Sequence, residues 1–357
     1  MGRASPRTGL QRKMEGLASP EEWKMHQKRL GTTGPLVSAM GLGCMGMSDF
    51  YGPADRAESL ATIHAALDAG VTLLDTGDFY GMGHNEMLIA EALRGRDRDR
   101  AVISVKFGAL RDPSGGFHGF DARPEAIKSF VAYSLRRLGV NHIDIYRPAR
   151  LDSTVPIEET VGAIADLIKA GYVRHIGLSE VGAHTLRRAA AIHPIADLQI
   201  EYAVITRGIE DTILPACREL GIAVTAYGVL ARGLIGGYWR PEVVAPGDSR
   251  AFGPRFAAGA VEHNLALTEA LRDLARARQI TVAQLAIAWV SAQGPDIIPL
   301  VGARRRDRLN EALAAEKVTL TPEDLAAIER VAPRNASVGE RYPAALMAHL
   351  DSERRDG

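Results

Sequence analysis

Val71-Thr72-Leu73-Leu74-Asp75-Thr76-Gly77-Asp78-Phe79-Tyr80-Gly81 is the stretch on which the fold turns. A short apolar run, Val71–Leu74, ends in a carboxylate, and a helical pattern takes over near 85–94. The same order recurs along the chain. Apolar runs at Ala39–Gly43, Ala101–Lys106, His142–Tyr146, Arg174–Leu178, Asp197–Glu201, Ile222–Ala226 and Ile297–Val301 also read as strands. Helical patterns near 56–69, 124–138, 158–170, 183–191, 210–220, 281–292 and 304–315 alternate with them. Strand-then-helix repetition argues for a parallel sheet covered by helices. Eight units argue for closure into a (β/α)8 TIM barrel. An open doubly wound sheet would want a G-x-G-x-x-G turn after its first strand, and Gly41-Leu42-Gly43-Cys44-Met45-Gly46 is one residue short of that spacing.

Arg29-Leu30, Gly31-Thr32-Thr33-Gly34 and Leu36-Val37 read as an N-terminal β-hairpin ahead of the first unit. Two extra helices are expected, near 261–277 and 322–331; Thr321-Pro322-Glu323-Asp324 starts the second with an N-cap, a first-turn proline and two acids. Residues 1–27 read as a tail, with a capping box at Ser19-Pro20-Glu21-Glu22. Residues 28–335 form the barrel, and 336–357 a second tail. The Gly- and Pro-rich segment 228–260 has no period, and in a barrel it would lie over the C-terminal mouth, where active sites sit.

Lys plus Arg equals Asp plus Glu at 43 each, so no overall field favours nucleic acid or an acidic membrane. Cys44 and Cys217 are too few for a disulfide framework, and a reducing cytoplasm is expected. No apolar run approaches a membrane span, and no apolar stretch follows the basic N-terminal residues as a signal peptide would need. Nothing in the composition speaks to oligomeric state.

Asp75, Tyr80 and Lys106 fall at neighbouring strand mouths. A tyrosine of ordinary pKa near ~10 is a weak acid unless its phenolate is stabilised, and an ammonium backed by a carboxylate does that. A capping Asp, a packed Tyr and a snorkelling Lys fit the same spacing. At the far end of the chain, Val301-Gly302-Ala303-Arg304-Arg305-Arg306-Asp307-Arg308 follows the eighth strand and opens a helix. Glycine, a helix N-terminus and arginines suit a phosphate, and a solvated basic helix end suits the residues equally well.

Leu74-Asp75-Thr76-Gly77-Asp78-Phe79-Tyr80-Gly81 followed by Asn85-Glu86 resembles the signature of the aldo-keto reductase superfamily. The resemblance continues in order through Pro156-Ile157-Glu158-Glu159-Thr160, Gly171–Ser179, Gln199-Ile200-Glu201-Tyr202 and Tyr227 with Arg232-Gly233-Leu234, over about residues 28–332. It implies an NADPH-dependent reductase of aldehydes or ketones, with Tyr80 as proton donor tuned by Lys106 and Asp75. Ser179 and Gln199 would hold the nicotinamide carboxamide, and Tyr227 would stack on the ring. Met45, Leu230, Arg232 and Gly233 would line the cofactor. Gly302, Arg304, Arg308 and Glu311 would take its adenosine 2′-phosphate end. The small carbonyl substrate would meet Phe50, Tyr51, Phe107, Arg147, Tyr238 and Trp239, with packing the better reading of Phe107 and Trp239.

One position departs from the pattern. The family usually carries a histidine after the fourth strand, and Ile143-Asp144-Ile145-Tyr146-Arg147-Pro148-Ala149-Arg150 puts Ala149 there. Arg147 or Arg150 could supply charge there instead, although an arginine cannot act as a general acid, and Arg150 is expected foremost as a structural partner of Asp152 or Glu180. Without the histidine, a nicotinamide-binding regulatory or weakly catalytic barrel is the alternative.

Overall fold

The computed structural model describes residues 25–240 and 244–354. The helix start expected at Ser19-Pro20-Glu21-Glu22 lies outside the described residues. In chain order the strands are β1 (Gln27–Arg29), β2 (Leu36–Ser38), β3 (Gly41–Gly43), β4 (Leu73–Gly77), β5 (Val102–Phe107), β6 (Ala109–Arg111), β7 (Phe117–Phe120), β8 (Ile143–Pro148), β9 (Val173–Ser179), β10 (Ile195–Glu201), β11 (Ala223–Tyr227) and β12 (Ile297–Gly302). The helices are α1 (Arg56–Asp68), α2 (His84–Ala92), α3 (Pro124–Leu138), α4 (Ile157–Lys169), α5 (Ala183–Ile192), α6 (Ile213–Glu219), α7 (Ala260–Ala277), α8 (Val282–Ala292), α9 (Arg306–Leu313), α10 (Pro322–Val331) and the short α11 (Ala344–Met347). Strands β3, β4, β5, β8, β9, β10, β11 and β12 pair in parallel and close into a barrel in that order. This is the (β/α)8 TIM barrel, with α7 and α10 as its extra helices.

Successive strand residues face opposite ways, so each barrel strand sends alternate side chains inside. Three interior layers result. At the bottom, Leu73, Ile145, Ala223 and Ile298 meet Leu30 and Val37 of the β1–β2 hairpin, all buried. The hairpin thus stoppers the N-terminal end with apolar side chains. The middle layer is polar. Arg147 donates to Asp197 at 3.0 Å, to Ser104 at 3.0 Å and to the Leu178 carbonyl at 3.2 Å, and Thr225 donates to Asp197. Gly177 makes this possible, since a Cβ there would lie 2.9 Å from the guanidinium carbon of Arg147 and 2.7 Å from Asp197 Oδ1. The top layer is Asp75, Lys106 and Gln199. Outward residues such as Leu74, Ile103, Val105 and Tyr146 pack under the helices in the main core.

Two features depart from the expected plan. Strands β6 and β7 form an antiparallel hairpin at the mouth beside β5, which the strand pattern did not reveal. Residues 336–354, expected as a tail, lie against the barrel. Asn264 of α7 clasps the backbone of Val338 with two bonds of 2.9 Å, and Leu350 is buried.

Candidate active site

Asp75, Lys106 and Gln199 lie on the inward faces of β4, β5 and β10, toward the C-terminal ends of those strands. They form a closed triangle. The Lys106 ammonium is bonded to Asp75 Oδ2 and donates to Gln199 Oε1 at 2.9 Å, while Gln199 Nε2 donates to Asp75 Oδ1 at 2.8 Å. Ser104 adds a bond to Asp75 at 2.9 Å and links the triangle to the Arg147 layer below. All three side chains are buried. Burial pulls the Lys106 pKa down, against the neighbouring Asp75 carboxylate, which raises it.

Tyr80 lies above this triangle, its ring centroid 5.2 Å from Lys106 Nζ. It begins a tight 3-10 turn, Tyr80–Gly83, after β4. Asn85 latches the turn in place. It accepts from Thr76 at 2.6 Å and donates to the Cys44 carbonyl at 2.9 Å, fixing the neighbouring Met45–Met47 turn as well. Burial pushes the Tyr80 phenol well above its ordinary pKa, Asp75 adds to that, and the Arg150 guanidinium opposes both. Phe79 packs edge-on at 4.8 Å and Phe50 at 6.1 Å. Phe50 in turn stacks on Phe117 at the start of β7. The second hairpin therefore walls the side of the mouth next to Tyr80. The turn Asp112-Pro113-Ser114-Gly115-Gly116 was its only sequence signal.

Around the mouth, Ser179 ends β9 and Tyr227 ends β11, and Leu230, Arg232 and Gly233 form the tight turn beyond. Ala231 and Arg232 sit at φ +48° and +55°, a left-handed strain that non-glycine residues rarely accept without a surrounding cause. Here Arg232 is held by Glu201 at 3.3 Å, by the Arg341 carbonyl and by the Tyr342 ring 4.0 Å away.

Glu180, fully buried after β9, anchors the C-terminal strap. It accepts from Arg341 at 2.9 and 2.7 Å, Ser352 at 2.6 Å, Tyr227 at 2.7 Å and the Glu201 amide at 3.0 Å. Burial alone would raise its pKa, but the Arg341 guanidinium, with Arg150 beyond it, holds it well below the usual carboxylate range. Tyr342 follows, its hydroxyl 2.9 Å from that of Tyr227. Neither Arg341 nor Tyr342 carried any motif in the sequence. Arg150 pairs with neither Asp152 nor Glu180. Asp152 instead accepts from the Ala122 amide at 3.1 Å and from Thr154.

The pocket assigned from sequence is redrawn. Arg147 faces inward but one layer too deep, fully buried on Asp197 and Ser104. Phe107 faces outward and stacks on Tyr146 at 4.3 Å, fully buried. Trp239 is buried edge-on against Phe256 at 5.1 Å. Tyr238 belongs to the other end of the site, where Arg308 lies 3.2 Å over its ring and its hydroxyl donates to Glu311 at 3.1 Å. Phe50 and Tyr51 remain at the mouth. Tyr51 bridges to Asp248 in the 244–260 segment, and Arg250 lies 5.3 Å from its ring.

Beyond Gly302 a groove of about 790 Å³ is lined by Pro53, Glu58, Arg304, Arg305 and Arg306 among others. Arg304 donates to the Tyr51 and Pro53 carbonyls, both at 3.0 Å. At the start of α9 the Arg306 amide donates to Glu58 at 2.9 Å, and its side chain adds two more bonds. Those bonds pull the Glu58 pKa down to about 2. A carboxylate thus already takes the place at this helix N-terminus that an anion would favour. A Cβ built on Gly302 would meet only the Gly43 carbonyl, at 3.9 Å, so the floor between β3 and β12 is bare backbone.

Known proteins resemble this one along its length. The aldo/keto reductase family model matches residues 39–333. The probable aldo-keto reductase 1 of Glycine max is 41% identical over 317 residues, covering 88% of this chain and 91% of that protein. The solved glycerol dehydrogenase of Gluconobacter oxydans superposes with a TM-score of 0.77 at 28% identity, over 93% of this chain and 98% of that one. An aldo-keto reductase of Bacillus halodurans, solved in its holo form, gives 0.74 at 28% identity, over 88% and 98%.

Proposed function

The chain belongs to the aldo/keto reductase family, and from that premise we propose that it reduces an aldehyde or ketone with NADPH, Tyr80 giving the proton. The observation that carries the reading is the buried Asp75–Lys106 pair beneath the Tyr80 ring. The residues fit a nicotinamide dinucleotide. The Gly43–Gly302 floor would let one lie flat, and the arginine-lined groove would take its phosphate end in exchange for the Glu58 carboxylate now bonded to Arg306. NADPH would supply the hydride. Ser179 and Gln199 would hold its carboxamide, and Tyr227 would pack on the ring. The turn at Leu230, Arg232 and Gly233 would line it with the Met45 backbone. Gly302, Arg304, Arg308 and Glu311 would meet the adenosine 2′-phosphate end.

Burial keeps Tyr80 protonated before reaction. A carbonyl oxygen that gains negative charge becomes nearly as basic as hydroxide, whose conjugate acid has a pKa of about 15.7. A phenol gives up its proton to such a base, and the Lys106 ammonium then stabilises the phenolate. Asp75 opposes the effect of burial on that ammonium.

Tyr80→Phe should lower turnover of an aldehyde panel by about 10²–10⁴-fold, the scale of a lost general acid, while fluorescence titration still detects NADPH binding. Turnover that survives the change removes Tyr80 from the role. NADPH should show a lower KM than NADH. Ala149 favours a second reading, a nicotinamide-binding regulator with little turnover. Tight NADPH binding with no carbonyl reduced would select it.

A further inference from the structure

Arg150 stands directly after Ala149, at the end of β8, half-buried at the mouth. A guanidinium stays charged at any working pH, and a charge withdrawn from water needs a partner of opposite sign. Arg150 has no ion pair within 4.0 Å among the described residues, whereas its neighbours Arg232, Arg255 and Arg341 all do. Its one close bond goes to the Ala149 carbonyl, at 2.6 Å. Those to Ser179 Oγ and the Tyr342 hydroxyl are long, at 3.4 and 3.5 Å.

The obvious counter-ion is already committed. Glu180 receives five hydrogen bonds, from Arg341, Ser352, Tyr227 and the Glu201 amide. The Tyr227 hydroxyl has a single proton, and it goes to Glu180. Tyr342 must therefore donate to Tyr227, which leaves the Tyr342 oxygen as acceptor for Arg150. The chain of bonds runs one way, from Arg150 through Tyr342 and Tyr227 to Glu180. It orients the guanidinium, and Glu180 acts on that charge only from a distance while bonded directly to Arg341.

We propose that Arg150 receives an anionic group on the carbonyl compound, so that short oxo acids are the substrate class of this site. The proposal rests on the reductase reading above. Tyr342 is a positioning residue that holds the guanidinium from the strap. Ala149 carries only a methyl group where the resemblance would put an imidazole. Arg150 is also the foremost positive charge acting on Tyr80, so an anion held there lies within electrical reach of the proton donor.

The test compares succinic semialdehyde and glyoxylate with their neutral methyl esters at saturating NADPH. Each acid should exceed its ester in kcat/KM by about tenfold or more, through KM, on the scale of one charge-assisted hydrogen bond. Arg150→Gln should lose about tenfold more on the acids than on the esters, and Arg150→Lys should recover part of the difference. Equal kcat/KM for acid and ester, or equal losses on both, overturns the proposal. A calorimetric titration with succinate, which cannot be reduced here, separates the two readings. Succinate binding that is lost in Arg150→Gln supports the anion site even if no carbonyl is turned over. Absence of succinate binding overturns the site even if neutral aldehydes are reduced.

Discussion

Asp78 sits two residues before Tyr80 with its carboxyl pushed up to about 8, first by burial and then by the Glu86 carboxylate, with Arg137 opposing. A raised folded-state pKa means that the native chain holds this proton more tightly than the unfolded chain, whose Asp titrates near ~3.9. Its contribution to stability is fully present below about pH 4 and is lost as pH rises toward 8. Asp78→Asn should therefore raise the melting temperature at pH 8 more than at pH 5. Equal shifts at both pH values would show that Asp78 titrates normally. At the same scale, Arg147 marks what sequence can and cannot give. Its inward direction follows from alternation along β8. Its depth depends on Gly177 and Asp197, which lie on strands 30 and 50 residues away by the separations of the bonded pairs, about 31 to the Leu178 carbonyl and 50 to Asp197. That Asp75, Tyr80 and Lys106 lie together was legible because one strand–turn–helix unit and its neighbour hold them. Tyr238 was misread for the opposite reason, since its partners Arg308 and Glu311 are far along the chain.

The strap from Ser337 to Glu353 is the element that sequence concealed. It has no hydrophobic period, and its energy resides in buried polar bonds to residues that were read for other roles. Arg341 is 6% exposed and Glu180 0%. Removing one partner of such a pair strands a buried charge and costs about 3–5 kcal/mol. Arg341→Ala should lower urea stability by that amount and raise the KM for NADPH, because Tyr227 is bonded to the same carboxylate. Arg341→Lys should fall between, since an ammonium cannot reproduce the two-pronged contact. Unchanged stability in Arg341→Ala would mean that the strap lies loosely on the mouth. The β6–β7 hairpin escaped for a related reason. Its strands of 3 and 4 residues are too short for alternation to register, although its turn residues were in plain view.

Over the whole molecule, the eight-unit plan was legible because each barrel strand is an apolar run and most are followed by an amphipathic helix. Both periods survive in sequence. The interior layers were less so, because a layer draws one residue from each of several distant strands. The bottom layer nevertheless makes a simple prediction. Leu30 is 0% exposed among Leu73, Ile145, Ala223 and Ile298, and Leu30→Ala should cost about 2–5 kcal/mol in denaturant unfolding. KM values should not change, because two polar layers separate Leu30 from the mouth. A change in KM with no loss of stability would contradict the layered interior. The order of construction has a final consequence for biosynthesis. The stopper is translated before the barrel strands, and Arg341 is translated 161 residues after Glu180, the carboxylate it neutralises. A nascent chain therefore carries Glu180 without its guanidinium until the strap has left the ribosome. Docking of the strap on Glu180 is therefore a long-range contact that can form only after every barrel strand has been synthesised.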